Sequence, residues 1–168
     1  DRRVSGQGRT VLASGQRAAE LHHTALNEWK ALTSVALTSL GLEALEIGRA
    51  YVLDRHQFGV PVGTFQSIQH GLADAAVALD GSTQLSQRAL WAADTGQPDA
   101  ATHASMALLF AAEAALNTAA ASLQYHGGYG YAEEYDIQLY YRRAKGWMLQ
   151  YDDPAVEYQR LADLVLPA

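Results

Sequence analysis

An all-α protein is what this sequence predicts, and three observations carry it. Alanine and leucine supply 53 of the 168 residues against 4 prolines, and both are strong helix formers. Apolar residues recur at three- and four-residue steps over many turns, as in Leu32, Ala36, Leu40, Ala44, Ile47 and Tyr51. Three of the prolines, Pro61, Pro98 and Pro154, fall where that rhythm breaks.

Composition sets the outer bounds. A chain of this length with 49% apolar residues can build one domain with a substantial core. The formal charge is -6 and the pI about 5.4, with no basic block, so a nucleic-acid partner finds no electrostatic support. The absence of cysteine excludes disulfides and thiolate nucleophiles and leans towards a cytoplasmic location. No apolar run approaches the roughly 20 residues of a membrane span, so none is expected. The first residue is Asp1 rather than methionine, as expected of a piece of a longer protein.

Residues 1–15 are polar and glycine-bearing around Thr10, Val11 and Leu12, the pattern of a linker or of the tail of a preceding β domain. The helical domain then fills residues 16–168. Its first helix is expected from Gln16 to about Phe58, with a break between His22 and Asn27. Gly41 and Gly48 inside it cost about 1 kcal/mol each relative to alanine, so they mark close approach of a neighbouring helix. His22 and His23 point about 100° apart on a helix and do not share a metal readily.

A second helix is expected from Thr64 to Asp94, with Thr64 as N-cap and Ile68, Leu72, Ala75, Leu79, Ser86, Leu90 and Ala93 on one side. A tight turn at Gly96–Asp99 leads to a third, Asp99 to about Tyr125, whose alanines on every face suit a central helix. A short helix from about Glu134 to Gln150 and a last one through Val156, Leu161, Leu164 and Val165 complete the chain.

Two corners carry the chemistry. In RHQFGVPVGTFQ (residues 55–66) a helix ends: Arg55 complements the helix dipole, Gly59 takes the positive φ of a helix end, and Pro61 forbids continuation. A guanidinium, the ring of Phe58 and the carboxamides of Gln57 and Gln66 around one turn suit an anionic, planar ligand. An ordinary corner with a solvated arginine is the other reading. In QYHGGYGY (residues 124–131) Gly127 and Gly128 bare the backbone at a helix end amid Tyr125, Tyr129 and Tyr131. This is a phosphate-type loop without the strand and lysine of a nucleoside triphosphate site, or simply a helix C-cap.

Together, RHQFGVPVGTFQSIQH, QYHGGYGYAEEYDIQLYYRRA and the LAD at Leu72 to Asp74 resemble the C-terminal helical domain of the flavin-dependent acyl-CoA dehydrogenases, over about residues 28–160. The resemblance implies a four-helix up-and-down bundle below an N-terminal helical domain and a β-barrel domain, neither of them in these residues. It implies FAD as cofactor, with Arg55, Gln57, Phe58 and Gln66 on its adenosine-diphosphate half and Gln124, Gly127 and Gly128 on the same half of a cofactor held mainly by a neighbouring subunit. The two groups would then face each other across a subunit interface. It further implies an acyl-CoA substrate, an electron-transfer flavoprotein as acceptor, and a homo-oligomer or a paired acyl-CoA dehydrogenase subunit.

The catalytic carboxylate departs from the family pattern. Counted from Gly128, Tyr151 stands where most members carry a glutamate, with Asp152 one residue later. Counted back from Arg55, Trp29 stands at the position a minority use, with Glu28 one residue off. Arg142-Arg143-Ala144 replaces the family's R-D-A. Asp152 and Glu28 are therefore the candidate bases of an active enzyme, and the alternative is a non-catalytic subunit that supplies part of the FAD site to an active partner.

Overall fold

A computed structural model describes residues 10–150 and 153–166. Among the described residues, five α-helices carry the fold: α1 (Gly15–Asp54), α2 (Gln66–Asp94), α3 (Ala100–His126), α4 (Ile137–Met148) and α5 (Pro154–Val165). Between α1 and α2 lies a two-residue-per-strand hairpin, β1 (His56–Gln57) against β2 (Val60–Pro61), followed by a 3-10 turn over Val62–Thr64. A second 3-10 turn, Gly127–Tyr131, joins α3 to the segment before α4.

α3 is the central element, in contact with each of the other four helices. Its alanines explain this, because Ala104, Ala107, Ala111, Ala115 and Ala119 are all buried and let neighbours approach on several sides. The long apolar side chains that fill the remaining space, Leu37, Leu79, Leu108 and Ile137, come from four different helices and are fully buried. α1 and α3 run parallel in register: a Cβ on Gly41 would stand 3.1 Å from the Cα of Ala115, and one on Gly48 would stand 2.8 Å from the Cβ of Ser122. Both glycines thus mark close helix approach, as their helix-weakening presence predicts. The parallel pair is what an up-and-down bundle requires of its first and third helices.

Five expectations are corrected. α1 has no break near His22 and is continuous for 40 residues, about 60 Å of helix. It also ends at Asp54, not Phe58, because Arg55 turns extended (φ −74°, ψ 122°) and leads into the hairpin. Phe58 and Gly59 are the two central residues of that hairpin turn, with φ of 55° and 82°, the pair of positive values a type I′ turn needs. Gly59 is therefore a hairpin residue, not a helix C-cap. Thr64 does not cap α2: its hydroxyl donates to the Pro61 carbonyl at 2.7 Å, and Phe65 occupies the N-cap position. On the apolar faces, Leu32 is 62% exposed and Ala93 is exposed too, while Ala31 and Ala92 are buried in their place.

By length and composition, α1 and the stretch Ala100–Tyr131 are apolar enough to cross a membrane, which the sequence reading did not expect. In the fold, about half of each apolar stretch is covered by other helices, so core packing accounts for the apolarity. The last helix, α5, starts anew at Pro154 as expected, with the Asp153 carboxylate accepting from the Ala155 N–H at 2.9 Å.

Candidate functional site

Because α1 and α3 are parallel, their C-terminal ends emerge together at one end of the bundle. There the hairpin after α1 and the glycine turn after α3 border a single cavity of about 550 Å³. Arg55, Gln57 and Phe58 line it from one side; Gln124, Gly127 and Gly128 line it from the other. The sequence-predicted groups are therefore brought together within one chain. Gln66, at the first position of α2, is exposed and is not among the lining residues.

Each side chain is held by its backbone. The Arg55 N–H donates to the Tyr51 carbonyl at 2.9 Å and its carbonyl accepts from Val62 at 2.7 Å, which fixes the residue between helix and hairpin. The guanidinium lies 5.8 Å from the centre of the Tyr129 ring. Among the described residues it has no carboxylate partner. Phe58 stands 93% exposed at the hairpin tip, its ring edge-on to Phe65 at 6.2 Å. Gly127 caps α3 with φ 59° and ψ −136°, a region that side chains disfavour. A Cβ at Gly127 or Gly128 would meet nothing within 4 Å, so the bare backbone faces open space.

An aromatic wall backs the cavity. Tyr51 stacks on His126 with centroids 3.9 Å apart, Tyr135 meets both rings edge-on, and Tyr129 leans on Tyr135 at 5.6 Å. His126 is buried, with Nδ1 2.7 Å from the Ser122 carbonyl. Tyr125 also lines the cavity; its burial, and then the negative charge of Asp74, push its phenol above the usual value. Of these wall residues, the sequence marked Tyr51 only as part of an apolar helix face and the tyrosines of the glycine turn without a role. Tyr51 and His126 were missed as wall residues, although the seven-residue step from Gly41 to Gly48 matches that from Ala115 to Ser122 and sets both side chains at the same level.

Chemically, the cavity offers an unneutralised guanidinium, carboxamides from two directions, exposed aromatic surface and side-chain-free backbone. This set suits an anionic group joined to a planar ring system.

The profile of the acyl-CoA dehydrogenase C-terminal domain matches residues 19–149. The chain belongs to the acyl-CoA dehydrogenase family. It is similar to the probable acyl-CoA dehydrogenase YngJ of Bacillus subtilis, 37% identical over 130 residues that make up 76% of this chain and 33% of that protein. It is also similar to benzylmalonyl-CoA dehydrogenase of Aromatoleum aromaticum, 38% identical over 117 residues, 70% of this chain and 31% of that protein. Among solved structures, butyryl-CoA dehydrogenase from Megasphaera elsdenii superposes with a TM-score of 0.86 at 25% identity, covering 92% of this chain and 40% of that one. The chain spans about a third of the length of the curated relatives it matches.

Glu28, one of the two candidate bases, is not part of this cavity. Glu28 is exposed on α1, one residue before Trp29, which packs against the Leu37–Met148 cluster. Asp152 lies outside the described residues. Histidines 22 and 23 are both exposed with ring centroids 6.1 Å apart, and no metal-binding cluster occurs among the described residues.

Proposed function

We propose that this chain forms the C-terminal, FAD-binding and assembly part of an acyl-CoA dehydrogenase that removes hydrogen from the Cα–Cβ bond of an acyl thioester. The observation that carries the reading is the meeting of Arg55 with the Gly127–Gly128 backbone in one cavity. The residues fit the adenosine-diphosphate half of FAD: Arg55 for the pyrophosphate charge, Phe58 and the carboxamides of Gln57 and Gln124 for the adenine, and the open faces of Gly127 and Gly128 for close approach. Gln66 would join them from the start of α2. When bound, FAD supplies the hydride acceptor for the β-carbon. The chain's own part in the chemistry is a carboxylate that takes the α-proton, for which Asp152 and Glu28 stand as candidates. An electron-transfer flavoprotein then receives the electrons.

A second reading is favoured by one observation: Glu28, the one candidate base among the described residues, is exposed and does not line the cavity at Arg55. In that reading the chain belongs to a non-catalytic subunit that lends its cavity to an active acyl-CoA dehydrogenase partner. The full-length protein, expressed alone and titrated anaerobically with acyl-CoA, separates the two. Bleaching of its flavin absorbance, lost in Asp152→Asn or Glu28→Gln, supports the catalytic reading. A yellow protein whose flavin stays oxidised until the partner is added supports the second, and a full-length protein that holds no flavin alone or with a partner overturns both.

A further inference from the structure

We propose that Tyr129 is a positioning residue for Arg55: its ring aims the guanidinium at the cavity without cancelling its charge, so that the cation is presented to the anionic group of the bound dinucleotide. The proposal rests on the flavin reading above and names a residue that reading does not use.

The described arginines divide into those with a carboxylate partner and those, such as Arg55 and Arg143 (5.6 Å from the Trp147 ring), that meet a ring instead. Arg17, Arg49, Arg88 and Arg160 each lie within 4.0 Å of a carboxylate oxygen. Such a partner orients a guanidinium but also neutralises it. Arg55, among the described residues, has neither an ion pair nor a side-chain hydrogen bond, and its recorded contact is the Tyr129 ring at 5.8 Å. A ring face attracts a cation through its quadrupole and leaves the net charge intact.

The fold places the ring there for reasons independent of any ligand. The α1–α3 register pairs Gly41 with Ala115 and Gly48 with Ser122, so the two helices end side by side and the residues just past their ends, Arg55 and Tyr129, come together. The turn that carries Tyr129 is pressed onto the end of α3, because a Cβ on Gly130 would stand 2.6 Å from the Leu123 carbonyl oxygen. From behind, Tyr135 supports the ring at 5.6 Å. With the Arg55 backbone fixed by its bonds to Tyr51 and Val62, the free variable is the arginine side chain, and Tyr129 is what meets it.

The test measures FAD affinity of the full-length protein by flavin fluorescence in Tyr129→Leu, Tyr129→Phe, Arg55→Gln and the double variant Arg55→Gln/Tyr129→Leu. Tyr129→Leu is expected to weaken binding about three- to tenfold, the range of a partly exposed cation–ring contact, and Tyr129→Phe to restore it. In the Arg55→Gln background, Tyr129→Leu is expected to cost nothing further. Because Tyr129 is half exposed, the melting temperature of the apoprotein should stay unchanged in all four. Loss of affinity on Tyr129→Leu that is the same with and without Arg55, or no loss while Arg55→Gln weakens binding, overturns the proposal and spares the flavin reading. Unaltered affinity in Arg55→Gln and Tyr129→Leu alike removes this cavity as the flavin site, and the proposal with it.

Discussion

Lys30 and Glu157 are charged side chains almost sealed from water, and they hold the last helix to the first. Lys30 Nζ lies 2.5 Å from Glu157 Oε1 and 3.2 Å from Ser105 Oγ, while Arg160 donates to the other carboxylate oxygen at 3.2 Å. Removing one partner strands a buried charge, so Lys30→Met is expected to cost about 3–5 kcal/mol in urea denaturation at pH 7. The double change Lys30→Met/Glu157→Leu should recover much of that loss. Burial pushes the Glu157 carboxyl up, but hydrogen bonds from Lys30, Ser105 and Arg160 and the Lys30 charge outweigh it and leave it below the ordinary 4.5. A carboxyl lowered on folding contributes stability that is complete above its unfolded value and fades as pH falls through the folded one. Stability should therefore drop as pH falls below about 4.5, and Glu157→Gln should flatten that part of the curve. At the hairpin tip, Phe58 keeps an exposed ring at φ 55°, a backbone conformation that costs a non-glycine residue about 1–2 kcal/mol. Phe58→Gly should leave stability equal or higher while weakening flavin retention. Weaker flavin binding without loss of stability marks the ring as kept for the ligand.

At the scale of elements, the contact of α1 with α3 decides where the site forms. Gly48→Val would drive a side chain into Ser122, and overpacking of this kind costs about 1–3 kcal/mol. The account expects that loss in chemical denaturation together with weaker flavin binding, since the same register brings Arg55 to Tyr129. This contact was legible in the sequence, because glycines inside an otherwise strong helix have few other reasons to be there. The central place of α3 was legible from its alanines in the same way. The hairpin was not: strands of two residues are too short to show a period, and Phe58-Gly59 reads equally well as a helix end. The expected break near His22 rested on the length of the helix alone, and α1 runs through it unbroken. That part of α1 is mostly exposed, and a helix with water on most sides tolerates polar residues all round. Gln66 was placed at the ligand by its carboxamide beside the turn and by the motif, and the step from the 3-10 turn into α2 sets it outside the cavity lining.

For the whole molecule, the cavity lies at one open end of a bundle that spans a third of its relatives' length. On the proposed reading the 168 residues alone contact the adenosine-diphosphate half of FAD and are expected to retain it weakly; tight binding by the isolated chain contradicts that. The central claim is that the Arg55 corner and the Gly127–Gly128 turn serve one dinucleotide from within one chain. Its most direct test is FAD titration of hybrid oligomers assembled from full-length Arg55→Gln subunits and full-length Gly128→Val subunits. If both groups line the same cavity of the same chain, every site in the hybrid carries one lesion, and no site binds with wild-type affinity. Recovery of wild-type affinity in half of the sites would mean that the two groups meet across a subunit boundary, and would contradict the account.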